Sequence, residues 1–170
     1  MVLSDREIRK YLNSGRIRIA PAPSDDQIGP TSVDLTLGDE FWIFRKGVKK
    51  VDLSSVKHEK VLQKVKAKSM TLKPGDMILG KTLERITLPA DMCGKLEGRS
   101  RYARLGLAIH VSSSLVQAGS DNHQILEMVN LSPATITVHA GMRVCQMMFM
   151  RLSSPADRPY AKYGDIARTQ

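Results

Sequence analysis

Glu97-Gly98-Arg99-Ser100-Arg101-Tyr102-Ala103-Arg104 places three guanidinium groups and a hydroxyl in a single run directly after a glycine. A glycine lets a ligand come close to the backbone, and arginine forks, a serine hydroxyl and local amides together donate many hydrogen bonds to phosphate oxygens. The chemistry that suits this set is a grip on a polyphosphate. The competing reading is a solvated basic turn whose arginines meet surface carboxylates. The apolar stretch from Leu105 to Ile109 weighs against it, because a core behind the turn would make the turn rigid. A second candidate is Gln124-Ile125-Leu126-Glu127-Met128-Val129, where one carboxylate sits between apolar neighbours. Such a group must be paired, open to a cleft, or used to move protons. Strand alternation alone would equally allow Glu127 to face solvent.

Other chemistries find little support. Zinc-dependent deaminases pair a His or Cys ligand and a catalytic Glu with a later Pro-Cys-x-x-Cys, which is missing here. His58, His110, His123 and His139 are scattered, and Cys93 and Cys145 stand singly, so no metal ligand set is expected. Neither a GxxxxGK[ST] loop nor a GxGxxG turn occurs. The 26 Lys and Arg against 17 Asp and Glu give +9, which favours an anionic partner. Nucleic acid is the weaker candidate: one Trp, three Phe and four Tyr offer few stacking platforms, and no recognition motif is present, so no specific nucleic-acid partner is expected. Two distant cysteines, the lack of an apolar run of membrane-spanning length and an N-terminus without a signal-like apolar region predict a cytoplasmic protein with no membrane partner.

The elements that must position these groups read as mainly β, within one domain spanning residues 1–170. Ser4-Asp5-Arg6-Glu7 is a capping box followed by Ile8, Tyr11 and Leu12 at helical spacing and by Gly15, so a short N-terminal helix is expected within residues 1–15. Thereafter alternation takes over in Arg16–Ile19, Ser32–Leu37 and Glu40–Phe44, and further strands are expected at 77–83, 94–97, 107–111, 125–131, 135–139 and 144–152. Pro21-Ala22-Pro23, Gly29-Pro30, Pro74-Gly75-Asp76 and Ala140-Gly141 punctuate these runs in the rhythm of a barrel or jelly roll. The lysine-rich stretch from Val48 to Lys73 reads as a long loop or exposed hairpin. The tail from Ser153 to Gln170 reads as irregular and mobile unless something binds it.

In order and spacing, four stretches carry a resemblance that runs nearly end to end. They are Leu3-Ser4-Asp5-Arg6-Glu7-Ile8; Pro30-Thr31-Ser32-Val33-Asp34-Leu35; Leu88-Pro89 with Leu96-Glu97-Gly98-Arg99-Ser100 and Arg104-Leu105-Gly106-Leu107; and Leu152-Ser153-Ser154-Pro155-Ala156 with Pro159-Tyr160. On these the chain resembles the dCTP deaminase branch of the dUTPase-like superfamily. The resemblance implies a distorted β-barrel assembled as a homotrimer, with sites between subunits and no metal in catalysis. It implies Glu127 as general base and acid, with Ser100 and Arg104 positioning water and ring or stabilising the intermediate. It further implies Arg99, Ser100 and Arg101 on the triphosphate, Ile125, Leu126 and Glu127 around the base, and contacts from Gln117, Gln146, Tyr160 and Lys162. Magnesium would enter as the counterion of the triphosphate; dCTP and dUTP would be the ligands, with dTTP open as an inhibitor. The chain departs from the family pattern at Ser113–Asn122, where Gln117 replaces the expected Asp. A carboxamide can accept a bond from a sugar hydroxyl but is no base at neutral pH, so deamination survives the change more readily than diphosphate hydrolysis. Gly164-Asp165-Ile166 stands where the family tail carries a glutamine, and Arg101 replaces a second serine. The expected function is deamination of dCTP to dUTP, a step toward dTTP supply. The alternatives are a dUTP diphosphatase or a bifunctional enzyme forming dUMP, or a degenerate homologue that binds nucleotides without turnover.

Overall fold

The computed structural model describes residues 1–55 and 57–163. Helix α1 (Asp5–Asn13) begins with a reciprocal capping box, in which the Ser4 N–H donates to Glu7 Oε2 at 3.2 Å. Its Ile8 is fully buried, and Tyr11 and Leu12 pack on the same core. Leu3, just before it, donates its N–H to the Phe149 carbonyl, which fastens the helix to the end of the last long strand.

The strands are β1 (Arg18–Ala20), β2 (Ser32–Phe44), β3 (Leu62–Lys66), β4 (Ser69–Leu72), β5 (Met77–Thr87), β6 (Met92–Gly98), β7 (Leu107–Ile109), β8 (Leu115–Val116), β9 (Asp121–Asn130), β10 (Ile136–His139) and β11 (Arg143–Arg151). The main sheet runs β7-β9-β5-β2-β11-β6-β8, with β1 added to β5 and β3 to β2, while β4 and β10 form a separate pair. Every pairing is antiparallel. The protein is thus mainly β, and its sheet is curled. Strands β7 and β8 end the order on opposite sides, yet only residues 110–114 join them. Laid flat, that order would separate its ends by roughly 29 Å at about 4.8 Å per strand, whereas the linking chain reaches about 21 Å at most. The ends do approach one another: a Cβ placed on Gly98, at the end of β6, would lie 3.8 Å from Ile109 Cβ of β7.

Alternation sets the inner face. Val33, Leu35 and Leu37 of β2, Leu126 and Met128 of β9, and Val144, Met147 and Phe149 of β11 are all at most 1% exposed. Two stretches expected as separate strands, Ser32–Leu37 and Glu40–Phe44, merge into β2. They read as two because the strand bends between them: its register against β5 shifts between Leu37 and Phe41, and a Cβ at Gly38 would meet the Lys81 carbonyl at 2.9 Å. The lysine-rich stretch is likewise more regular than expected. It contains the short helix α2 (His58–Val61) and strands β3 and β4, whose pairing with β2 and β10 compensates for weak patterning. Lys64 and Lys66 reach Glu40 and Asp39 across the β2–β3 pair, and the Lys81 and Lys64 ammonium groups hold the Glu40 carboxyl at about 2.

The turn carrying the arginines, α3 (Ser100–Ala103), is closed by Gly106, whose φ of +90° suits glycine. Leu131 donates to the Gly106 carbonyl at 2.8 Å, and a Cβ there would lie 2.5 Å from Ser132 Cβ and 2.7 Å from its backbone nitrogen. Gly15 also has a positive φ, but nothing lies within 4 Å of a Cβ placed on it. Gly106→Ala is therefore expected to cost about 2–4 kcal/mol in urea unfolding, combining conformational strain with a backbone clash. Gly15→Ala, which meets strain alone, is expected to cost about 1 kcal/mol.

Candidate functional site

Glu127 lies near the middle of β9, opposite Leu79 of β5. Its neighbours Leu126 and Met128 are fully buried, so the carboxylate points to the other face of the strand, where it is half-buried. Ser112 holds it there: both the Ser112 N–H, at 3.0 Å, and its hydroxyl, at 2.8 Å, donate to Glu127 Oε2. The His110 N–H donates to the Glu127 carbonyl. The segment joining the two edges of the curled sheet thus wraps the carboxylate.

His110 takes the left-handed conformation, φ +56°, which is uncommon outside glycine. Its Nδ1 lies 3.1 Å from the Ser113 carbonyl, an acceptor only, so Nδ1 carries the hydrogen and Nε2 is a bare acceptor. Nε2 is buried and has no hydrogen-bond partner among the described residues. Burial pushes the His110 pKa down, against the opposing pull of the Glu127 and Glu97 carboxylates and the Ser113 carbonyl.

Beside this segment opens a pocket of about 240 Å³, lined by Leu96, His110, Ser113, Leu115, Val116, Gln117, Ser120, Asn122, Gln124, Ile125 and Tyr160. Three expected site residues meet here: Gln117, Ile125 and Tyr160. Glu127 is two residues beyond Ile125 on the same strand face. The tail reaches the pocket as the short turn α4 (Tyr160–Tyr163), with Tyr160 and Ala161 donating to the Ala118 and Gly119 carbonyls at 2.9 and 3.0 Å. Lys162 is exposed on α4, and the departure at Gly164–Ile166 lies outside the described residues.

The arginine turn forms a second group. Ser100, Arg101 and Arg104 are exposed, and the Arg101 guanidinium lies over the Tyr102 ring at 5.2 Å. Arg99 turns inward: its Nη2 is 2.9 Å from Asp34 Oδ2 and its Nη1 donates to the Arg143 carbonyl at 3.2 Å. Burial raises the Asp34 pKa while Arg99 and Arg143 oppose the shift. Gln146 braces the same turn, accepting from the Ser32 hydroxyl at 2.9 Å and donating to the Gly98 carbonyl at 3.4 Å. Among the described residues lining the pocket there is none of Arg99, Ser100, Arg101 or Arg104. Leu126, fully buried, offers a ligand only its backbone.

Sequence reasoning missed Ser112, His110, Asp34, Ser120, Asn122 and Gln124. Asp34 and Gln124 carried a faint signal, being polar members of alternating strands, but Ser112 becomes a partner of Glu127 only through folding. The fold and this site define the class as a mainly β protein whose sheet curls on itself, with a pocket of about 240 Å³ beside Glu127. The chain overlays a crystal structure of 2′-deoxycytidine 5′-triphosphate deaminase from Agrobacterium tumefaciens with a TM-score of 0.67 at 23% identity, covering 87% of this chain and 47% of that one. It overlays the dUTPase of Staphylococcus bacteriophage 80alpha with a TM-score of 0.57 at 12% identity, covering 85% and 95%. The chain thus spans about half the length of the Agrobacterium structure. Residues 2–152 match the model of the dCTP deaminase-like family, and this chain belongs to that family. It is 41% identical to the dCTP deaminase of Rhodospirillum rubrum over 95% of this chain and 88% of the relative. It is 37% identical to a dUMP-forming dCTP deaminase of Dictyoglomus thermophilum over 95% and 86%.

Because burial lowers the His110 pKa in the folded protein, the unfolded chain binds this proton first as pH falls. Stability is therefore expected to drop on acidification below the ordinary histidine value of 6.5. Thermal melts between pH 7.5 and 5.5 should fall less steeply in His110→Asn, which keeps a donor, tolerates the left-handed backbone and cannot titrate.

Proposed function

We propose that this protein hydrolyses the exocyclic amine of dCTP, giving dUTP and ammonia, without a catalytic metal. The observation that carries the reading is Glu127, half-buried on the flank of the pocket and fixed through Oε2 by Ser112. Oε1 is then the oxygen that takes a proton from water, so that hydroxide attacks C4 of cytosine. The resulting acid returns a proton to the amine as it leaves. Ser100 and Arg104 position the water and ring and stabilise the tetrahedral intermediate. Arg99, Ser100 and Arg101 hold phosphate oxygens; Asp34 and the Arg143 carbonyl take Arg99 donors on one side and set the direction of the rest. Ile125, Leu126 and Glu127 border the base, Gln117 and Tyr160 the sugar, and Gln146 and Lys162 complete the contacts. Magnesium arrives as the counterion of the triphosphate, and dTTP, the end product of the same supply, is the inhibitor to test. The compartment is the cytoplasm, in keeping with Cys93 and Cys145 as free thiols.

The working unit is a homotrimer. In support, none of Arg99, Ser100, Arg101 and Arg104 lines the pocket within one chain, and a neighbour's turn would supply the missing cations. Release of dUMP is the second reading, favoured by the name of the Dictyoglomus relative. Gln117 stands against it, since a carboxamide cannot activate water as a base.

Incubation with dCTP and magnesium is expected to yield ammonia and dUTP in equal amounts without pyrophosphate. Glu127→Gln should reduce the rate about 10²–10⁴-fold; undiminished activity there would remove the mechanism, and pyrophosphate would favour the second reading. Ser100→Ala and Glu127→Gln chains, each inactive alone, should regain activity when co-assembled. A mixed trimer with no recovery would place the whole site within one chain.

A further inference from the structure

The net charge of +9 is concentrated in one part of the chain. Residues 45–73 hold ten Lys and Arg against two Asp and Glu, so eight of the nine net charges fall there, while the remaining residues hold 16 against 15. The arginine turn is not part of this stretch. Asp34, which holds Arg99, lies near the start of β2, and the basic stretch begins eleven residues further on, just past Phe44 at the other end of that strand. Arg45 anchors it: its N–H donates to the Val61 carbonyl at 2.8 Å and its Nε to the Glu59 carbonyl at 3.1 Å, closing the base of the loop between β2 and β3. On this loop Lys46, Lys49, Lys50, Lys57 and Lys60 are all exposed, and none of them forms an ion pair among the described residues. Asp52 leaves them unneutralised, since it accepts from the Ser54 N–H at 3.0 Å and the Ser54 hydroxyl at 2.6 Å. Lys64 and Lys66 continue the patch along β3, two residues and about 7 Å apart. Their side chains are 55% and 74% exposed even while paired with Glu40 and Asp39.

We propose that residues 45–73 form a docking surface for the phosphate backbone of a nucleic-acid duplex, bound without regard to sequence. Like charges held together without countercharges repel one another, and a polyanion laid across them relieves that repulsion. A duplex carries one negative charge per about 1.7 Å of its axis, a density that an extended basic surface can match. Nine of the ten cations are Lys. An ammonium is a point charge on a flexible stem, which suits a row of phosphates better than one phosphate held in a fixed geometry. A single strand would need aromatic platforms for its bases. Phe44 at the border of the patch is 50% exposed, but Trp42 is half-buried and already lies under the Lys64 ammonium at 5.4 Å. An anionic membrane would need a continuous apolar face to bury. Here the exposed large apolar side chains of the loop, Val48 and Leu53, stand singly among the lysines. The backbone of a duplex is thus the polyanion that fits, and this surface does not depend on the deaminase reading.

The test is the binding of a labelled DNA duplex of about 20 base pairs, followed by fluorescence anisotropy over a range of salt concentrations, with an expected Kd of about 10⁻⁶–10⁻⁴ M near physiological salt. Two unrelated duplex sequences should bind equally. Lys46→Gln, Lys49→Gln and Lys50→Gln together should weaken binding and flatten the slope of log K against log salt by about 0.9 for each lysine that meets a phosphate. The same variant should keep its turnover of dCTP. Arg6→Gln, Lys10→Gln and Arg151→Gln together remove as much charge from exposed positions outside the patch, and this variant should keep the original slope. Equal losses in the two variants would overturn the inference in favour of diffuse charge, and no binding of either duplex would overturn it outright. Tighter binding to vesicles of phosphatidylserine and phosphatidylcholine than to the duplex would assign the surface to a membrane instead. These outcomes stand whether or not the chain deaminates dCTP, so failure of one reading is distinguishable from failure of the other.

Discussion

The register of β9 is the constraint on which the site depends. Leu126 and Met128 are wholly buried, and Glu127 lies between them. Because side chains alternate along a strand, a slip of one residue would drive the carboxylate into the core and bring two large apolar groups out to water. That penalty holds the strand in place against β5 on one edge and β7 on the other. Thus the same apolar residues that stabilise the sheet also aim the acid. The loop that caps Glu127 follows from closure, since residues 110–114 must bridge the two edges of a sheet too wide to be bridged flat. Ser112, in the middle of that link, is the residue that donates to the carboxylate.

The arginine turn is held by polar contacts instead. Asp34 and the Arg143 carbonyl fix Arg99, Gln146 ties the Gly98 carbonyl to Ser32, and Arg143 in turn pairs with Asp26, whose carboxyl it holds at about 2. The Asp34–Arg99 pair is largely removed from solvent, with 14% and 27% of the side chains exposed, so its partners are worth more for direction than for net stability. Ser100, Arg101 and Arg104 remain exposed beside it. A rigid, partly neutralised base carrying exposed donors suits a polyanion that must be gripped and released.

The candidate site thus presents two surfaces of different character: a cationic turn, and a pocket with no Lys, Arg, Asp or Glu among the described lining residues and a carboxylate at its flank. The tail lies against the loop that forms the pocket wall, and a Cβ on Gly119 would strike Pro159 Cβ at 2.5 Å. That close approach explains a glycine in the middle of an otherwise altered stretch. The wall and the tail consequently act as one unit, and changes to either will be felt by whatever occupies the pocket.

Much of this was legible in the residues. The capping box placed α1, alternation placed most strands, Arg99, Arg101 and Arg104 stood out as three guanidinium groups crowded around Ser100, and Glu127 stood out as a carboxylate between apolar neighbours. Alternation also misled: it divided β2 at its bend and passed over β3 and β4, where strand pairing outweighs local pattern. Sequence by itself determined the family, the β-rich class and the types of groups available for chemistry, since these follow from composition, periodicity and ordered motifs. Only the tertiary structure decided that Ser112 binds the Glu127 carboxylate, that Arg99 faces Asp34, that His110 Nε2 is buried without a hydrogen-bond partner among the described residues, and that none of Arg99, Ser100, Arg101 and Arg104 lines the pocket. Those facts depend on contacts between residues distant in sequence, and local spacing carries no information about them.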